Sequence, residues 1–134
     1  MTKVVAKALI TNNKNQLLVL YRSNTHPNFP GQLDLPGGEV KNDEHWVDAV
    51  AREIREETAI IVSPATLKKI LEKQYSNVKH VLYITKIDET NPIIELSWEH
   101  SAFKWYKKEI LLKESLPKNV DPYFIDVIQY LRVT

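Results

Sequence analysis

Gly37 to Ile60 reads GGEVKNDEHWVDAVAREIREETAI, and its second half decides how the rest of the chain is read. Glu53, Glu56 and Glu57 stand three and four positions apart, so in a helix they share one face. Like charges at that spacing destabilise an isolated helix by a few tenths of a kcal/mol per pair, roughly, so a fold that keeps them needs a counter-ion. Clustered carboxylates are hard oxygen ligands, suited to Mg²⁺ or Mn²⁺ rather than zinc. Val47, Val50, Ala51 and Ile54 recur at helical spacing and make an apolar stripe beside the acidic face. One side of the predicted helix, Glu44 to Thr58, then faces a core while an adjacent side faces a cleft. Ahead of it, Pro36-Gly37-Gly38 is expected to form a loop whose backbone approaches a ligand closely. An acidic helix fed by such a loop suggests a metal bridging carboxylates and phosphate oxygens.

The same residues resemble the Nudix box: Gly, five residues, Glu, seven residues, then Arg-Glu-apolar-any-Glu-Glu-any-Gly-apolar. Gly38, Glu44 and the run Arg52-Glu53-Ile54-Arg55-Glu56-Glu57-Thr58-Ala59-Ile60 match every charged position. The one departure is Ala59, where the family usually has Gly. The resemblance implies an α/β fold of the Nudix type, an α/β/α sandwich with a mixed β-sheet between helices.

Length and composition agree with that outline. The chain of 134 residues suits a single domain, 1–134, and 43% hydrophobic with 26% charged residues is ordinary for a globular protein. No cysteine is present, which excludes disulfides and thiolate metal sites and fits a cytoplasmic location. A net charge of +1 gives no electrostatic case for nucleic acid or membrane as a partner. The start, MTKVVAKALITNN, is broken by Lys7 and does not read as a signal peptide.

Along the chain, Val4–Ile10 and Gln16–Arg22 read as a hairpin around the turn cluster Thr11–Asn15. Ser23–Gly31 is a Pro/Asn-rich loop, in which His26 is either solvated or a substrate contact. Strands are expected at Leu33–Leu35, Ile60–Val62, Leu67–Tyr75, Val78–Ile87 and Phe103–Tyr106, with a short helix at Lys107–Leu112. Asp121-Pro122 starts a last helix, striped by Phe124, Val127, Ile128 and Leu131.

The resemblance implies hydrolysis of a nucleoside diphosphate linked to another group, with Mg²⁺ (or Mn²⁺) as cofactor. Glu56 and Glu57 are then the leading metal ligands, Glu53 is a further ligand or the base, and the carbonyl of Gly37 or Gly38 completes the shell. Arg52 reads either as a surface ion pair with Glu56 or, as in the family, as the residue that orients the acidic groups. Glu44 suits a helix N-terminus as well as a metal. Glu99 is a candidate extra ligand or base, against a solvated loop residue. Trp105 reads as core. Arg22 is a phosphate clamp or a solvated strand end, and Asn119 is a purine reader or a turn residue. Gly37 and Gly38 border the substrate. A (d)NTP or modified nucleotide leads as substrate over ADP-ribose or a nucleotide sugar. The rival of another class is a non-catalytic nucleotide-binding sensor. The protein would be a monomer or homodimer.

Overall fold

The computed structural model describes residues 2–134. Seven strands form one mixed sheet: β1 (Lys3–Thr11), β2 (Leu17–Arg22), β3 (Leu33–Asp34), β4 (Gly37–Glu39), β5 (Lys68–Tyr75), β6 (Val78–Lys86) and β7 (His100–Tyr106). Three helices accompany it: α1 (Trp46–Thr58), α2 (Lys108–Leu111) and α3 (Pro122–Arg132). β1 runs parallel to β6 along its whole length, from Lys3 beside Val78 to Thr11 beside Lys86, while every other pairing is antiparallel.

Strand alternation sorts the side chains into two layers. Ala6, Ala8 and Ile10 of β1, Leu18 and Leu20 of β2, and Val81 and Tyr83 of β6 pack with Val50 and Ile54 of α1. Leu9, Leu17, Val19 and Leu82 point the other way and pack with Leu111 of α2 and Phe124, Val127, Ile128 and Leu131 of α3. This is the expected helix–sheet–helix sandwich. Val50, Ile54 and Phe124 are fully buried, and each such side chain contributes roughly 1.5–3 kcal/mol through burial.

What positions the site is a fork in the sheet. β1 and β2 pair only at Thr11 and Leu17, next to their turn. Asn12 shapes that turn by accepting the backbone N–H groups of Lys14 and Gln16 at 3.0 and 2.9 Å. Farther along, residues 33–39 enter between the two strands. Leu33 and Asp34 pair with β2, and Gly37, Gly38 and Glu39 cross over to pair with Lys7, Ala6 and Val5 of β1.

Several expectations are corrected here. Gly37 and Gly38 are not in a loop but in β4. Gly37 has φ +143°, and a Cβ there would lie 2.1 Å from the Ala6 carbonyl oxygen, so close strand approach explains the glycine. Ile60–Val62 is not a strand: Ile60 and Val62 are buried and Ile61 is 81% exposed, so the segment alternates as a strand does but finds no edge to pair with. The central helix begins at Trp46, leaving Glu44 ahead of it and His45 at its cap without a side-chain hydrogen bond. β7 begins at His100, three residues earlier than Phe103, because the His100 end pairs with Arg22. Asp121 caps α3 as expected, accepting the N–H of Tyr123 at 3.4 Å. No helix among the described residues is long and apolar enough to cross a membrane.

Candidate active site

The acidic face of α1 lies against β4. A Cβ at Gly38 would stand 2.7 Å from the Glu53 carboxyl carbon, so a side chain there would push that carboxylate aside. The Gly37 N–H donates to Glu57 Oε1 at 2.8 Å, and Glu57 is 2% exposed. Burial pushes the Glu57 carboxyl up to about 8, against the lowering influence of Lys7 and the Gly37 N–H. Glu53 is also raised, first by burial, with Arg52 opposing. Glu56 is half exposed.

Arg52 ties this face together. Its Nε and Nη2 donate to Glu44 at 2.8 and 3.0 Å, and its Nη1 donates to Glu53 at 3.0 Å and Glu56 at 3.1 Å. The two residues 52 and 53 do not share a helix face, yet the length of the guanidinium arm lets it reach round to Glu53. Arg52 is therefore the centre of a four-residue cluster rather than a single i, i+4 surface pair. Glu44 also accepts the Lys41 N–H at 3.0 Å. Those bonds, that from Arg52 first, hold its carboxyl down at about 2. Lying ahead of the helix, Glu44 anchors Arg52 instead of serving as a cap.

Among the described residues, no three acidic or histidine side chains converge closely enough to hold a metal ion as they stand. Arg52 and the Gly37 N–H occupy the carboxylates instead. The donor chemistry nevertheless fits a hard divalent cation: Glu53, Glu56 and Glu57 are all-oxygen ligands on one helical turn. Glu57 is a buried carboxyl whose ionised form lacks sufficient compensation. The Gly37 carbonyl, the other ligand expected, accepts from Lys7 Nζ at 3.4 Å.

Beside the acidic face, at the fork, lies a buried polar hub that the sequence reading missed. Asp34 is 1% exposed. Its carboxylate accepts Lys7 Nζ at 3.1 Å, Arg22 Nη2 at 3.1 Å and the Tyr123 hydroxyl, and pairs with His100 Nε2 at 2.8 Å. Burial alone raises a carboxyl, but Lys7, His100 and Arg22 outweigh it and hold Asp34 well below the usual range. Lys7, also buried, is held above its ordinary value: burial opposes its charge, and Asp34 and Glu57 more than offset that. Lys7 donates to the carbonyls of Leu35 (3.2 Å) and Gly37 as well, so it links the hub to β4. The signal in sequence was a charge at an inward strand position: Lys7 interrupts VVAKALI, and Asp34 stands between Leu33 and Leu35.

Arg22 is no solvated strand end. It is 3% exposed, bonded to Asp34 and, at 3.0 Å, to Asp121, with Phe29 stacked 5.4 Å from its guanidinium carbon. Its Nε and Nη1 are buried without a hydrogen-bond partner among the described residues. Asn119 is exposed in the turn before α3, where its side chain accepts from Gln32 Nε2 at 3.3 Å. Glu99 is part-exposed in the loop entering β7, near enough for its charge to raise Glu53. Trp105 is partly buried against the α1-side core, as expected.

A family model, the NUDIX domain, matches residues 1–127. Among solved structures, the chain is similar to the MutT protein from Methanosarcina mazei Go1, with 28% identity over 98% of this chain and 94% of that one and a TM-score of 0.78. It also resembles a bifunctional NMN adenylyltransferase/ADP ribose pyrophosphatase from Francisella tularensis, complexed with AMP and a manganese ion. There the identity is 26% over 78% of this chain and 34% of that one, with a TM-score of 0.62. An Ap4A hydrolase from C. elegans shares the fold at 22% identity over 96% of this chain and 93% of that one, with a TM-score of 0.66. No curated protein sequence matches the chain.

Proposed function

The chain belongs to the Nudix domain family and is a Nudix hydrolase, and from that premise we propose that it is a Mg²⁺-dependent pyrophosphohydrolase of small nucleotides, a (d)NTP or modified nucleotide above all. The observation that carries this reading is the intact acidic face of α1, set against the two glycines of β4 and organised by Arg52. Glu53, Glu56 and Glu57, with the Gly37 carbonyl, would hold a divalent cation, Mg²⁺ or Mn²⁺, which supplies charge neutralisation for phosphate oxygens when bound.

The side chains then have distinct tasks. Arg52 fixes the rotamers of Glu53 and Glu56 and keeps Glu44 against the helix start. Lys7 and the Gly37 N–H hold β4 and Glu57 in register. A water attacks one phosphorus of the anhydride, the bond to the bridging oxygen breaks, and the water's proton passes to a carboxylate. Glu53 and Glu99 are the two candidates for that base. We favour Glu99: it is part-exposed and, among the described residues, accepts no side-chain hydrogen bond, whereas Arg52 already holds Glu53. Arg22 and Asn119, with Gly37 and Gly38, are the substrate contacts in this reading. For Arg22, the two unpaired guanidinium nitrogens support it. The single-domain protein would act in the cytoplasm on a free nucleotide, without nucleic acid or membrane as partner, as monomer or homodimer.

A second substrate reading, ADP-ribose or a nucleotide sugar, is favoured by the likeness to the Francisella protein. The test is product analysis of a panel of both compound types with Mg²⁺ or Mn²⁺, reading pyrophosphate from triphosphates and nucleoside monophosphate with sugar phosphate from sugar-linked diphosphates, wild type beside Glu57→Gln. Pyrophosphate from a nucleoside triphosphate, lost in the variant, is the expected result. Cleavage of sugar-linked diphosphates alone would shift the assignment to the second reading. No turnover by a folded protein that binds metal and nucleotide would turn it to the sensor module.

A further inference from the structure

His26 belongs to the loop between β2 and β3 that covers Arg22. Its neighbours Asn24, Thr25, Pro27 and Asn28 are exposed, but the His26 side chain retains only 12% of its surface. The loop is fastened at both ends: the Gly31 N–H donates to the Arg22 carbonyl at 3.1 Å, and the His26 N–H donates to the Ser23 carbonyl at 3.1 Å. The imidazole is fixed as well. The Asn28 N–H donates to His26 Nδ1 at 3.0 Å, so Nδ1 is an acceptor and the ring proton resides on Nε2. His26 Nε2 lies 3.7 Å from Glu99 Oε2. The Glu99 main chain is tied to the same loop by the Ser23 N–H at 2.9 Å, so the two residues cannot drift apart independently. The His100 ring, itself bonded to Asp34, lies 6.2 Å from the His26 ring and is tilted to it by 51°.

We propose that His26 is a positioning residue for Glu99: its Nε2–H, set by the Asn28 N–H, aims the Glu99 carboxylate toward the acidic face of α1. This rests on the reading of Glu99 as the group that takes the proton from water. The 3.7 Å gap exceeds a hydrogen bond. Such contacts between catalytic groups are often long without substrate and tighten in the reacting complex. The neutral ring suits the task, because a cation would compete for the carboxylate's charge, whereas a neutral N–H orients it and leaves it basic. The Asn28 N–H on Nδ1 fits a neutral ring, since an imidazolium has no acceptor nitrogen.

The chemistry of amide side chains supplies the test. Gln places an N–H near the position of His Nε2, and Asn places one near Nδ1. Steady-state kinetics with dGTP, ADP-ribose and a nucleotide sugar, with Mg²⁺, should show kcat about tenfold lower for His26→Ala and His26→Asn at unchanged KM. His26→Gln should stay within about twofold of wild type. Glu99→Gln should lose about a hundredfold, and adding His26→Ala to it should cost nothing more, since the histidine acts only through that carboxylate. Long-range ¹H–¹⁵N spectra of the imidazole, which need no turnover, should show the Nε2–H tautomer and a shift of its resonances in Glu99→Gln. An Nδ1–H tautomer, additive losses in the double variant, or an effect confined to KM would overturn the assignment. A Glu99→Gln variant as active as wild type would remove the role of Glu99, and that of His26 with it. No turnover by wild type would overturn the hydrolytic reading on which both rest.

Discussion

Two charge-rich regions lie side by side in this fold and behave in opposite ways. On α1, Arg52 serves Glu44, Glu53 and Glu56 at a half-open surface, and Glu57 is left buried with a carboxyl pushed up to about 8. At the fork of the sheet, Asp34 is surrounded by Lys7, Arg22, His100 and Tyr123, and its carboxyl is held well below the usual range. The first region has more acid than its own cations satisfy, and the second has its acid satisfied four times over. A surplus of buried or crowded carboxylate is what a metal-binding catalytic face needs, whereas a saturated carboxylate pins strands and a helix together. If the proposed function holds, function and stability are divided between neighbouring clusters of the same residue types.

The largest effect that would expose this division is on turnover. Glu57→Gln should lower kcat by about a thousandfold or more without lowering the melting temperature. Gln mimics the protonated acid that burial favours, and its Oε1 can still accept the Gly37 N–H. Thermal unfolding of the metal-free variant checks the second half. A large fall in melting temperature would mean that Glu57 pins the fold as Asp34 does, and the comparison would collapse.

Asp34→Ala should do the reverse first. Removing one partner of a buried ion pair costs about 3–5 kcal/mol, because the other charges stay buried without compensation. Here Lys7 would lose its ion-pair partner and Arg22 one of its two, keeping Asp121. Urea unfolding measures the loss. A change below about 1 kcal/mol, the value typical of an exposed pair, would show that water reaches the hub.

The same contrast governs how much of the molecule was readable beforehand. The acidic face of α1 is local: its residues recur at helical spacing between Glu44 and Glu57, so periodicity and the box pattern reveal it. The hub joins Asp34 to partners 12, 27, 66 and 89 positions away, on β2, β1, β7 and α3, and no periodicity connects them. Lys7 and Asp34 were visible only as charges at inward positions of apolar strands. Most of the elements followed from alternation and helix stripes, and the sandwich from the resemblance to the Nudix box. Where that reasoning failed, long-range pairing decided: Ile60–Val62 alternates without an edge to join, and Gly37–Gly38 became a strand because β1 offered one.

A smaller effect appears in the pH dependence of stability of the chelated protein. Asp34 has a folded value below its ordinary 3.8, so its contribution is complete above about that pH and is lost as pH falls through the depressed folded value. Glu57 has the opposite sign: its folded value of about 8 lies above the ordinary 4.5, so folding takes up a proton between them and stability falls as pH rises through that window. The melting temperature should therefore decline from about pH 5 to 8 and, separately, below about pH 4. Glu57→Gln should flatten the first limb and Asp34→Asn the second. If both substitutions altered the same limb, the clusters would be titrating as one.

The smallest expected effect lies at the end of α1, where Ala59 replaces the family's usual Gly. Ala59 has φ 68° and ψ 4°, the left-handed conformation, and its N–H donates to the Arg55 carbonyl at 2.9 Å. The helix thus ends as a glycine-capped one does, and the alanine bears the strain of its Cβ, roughly 1–2 kcal/mol. Glycine would relieve that but lose more chain entropy on folding, roughly 0.5–1 kcal/mol. Ala59 is exposed, so no packing is forfeited. Ala59→Gly should stabilise by about 0.5–1 kcal/mol, a rise of about 2–4 °C in melting temperature. Because the backbone already has the required shape, the carboxylates of Glu56 and Glu57 stay in place and kcat should not change. A fall in melting temperature would show that the left-handed cap is not the conformation in solution. A change in kcat without one would show that the cap, two residues beyond Glu57, sets the aim of the carboxylates.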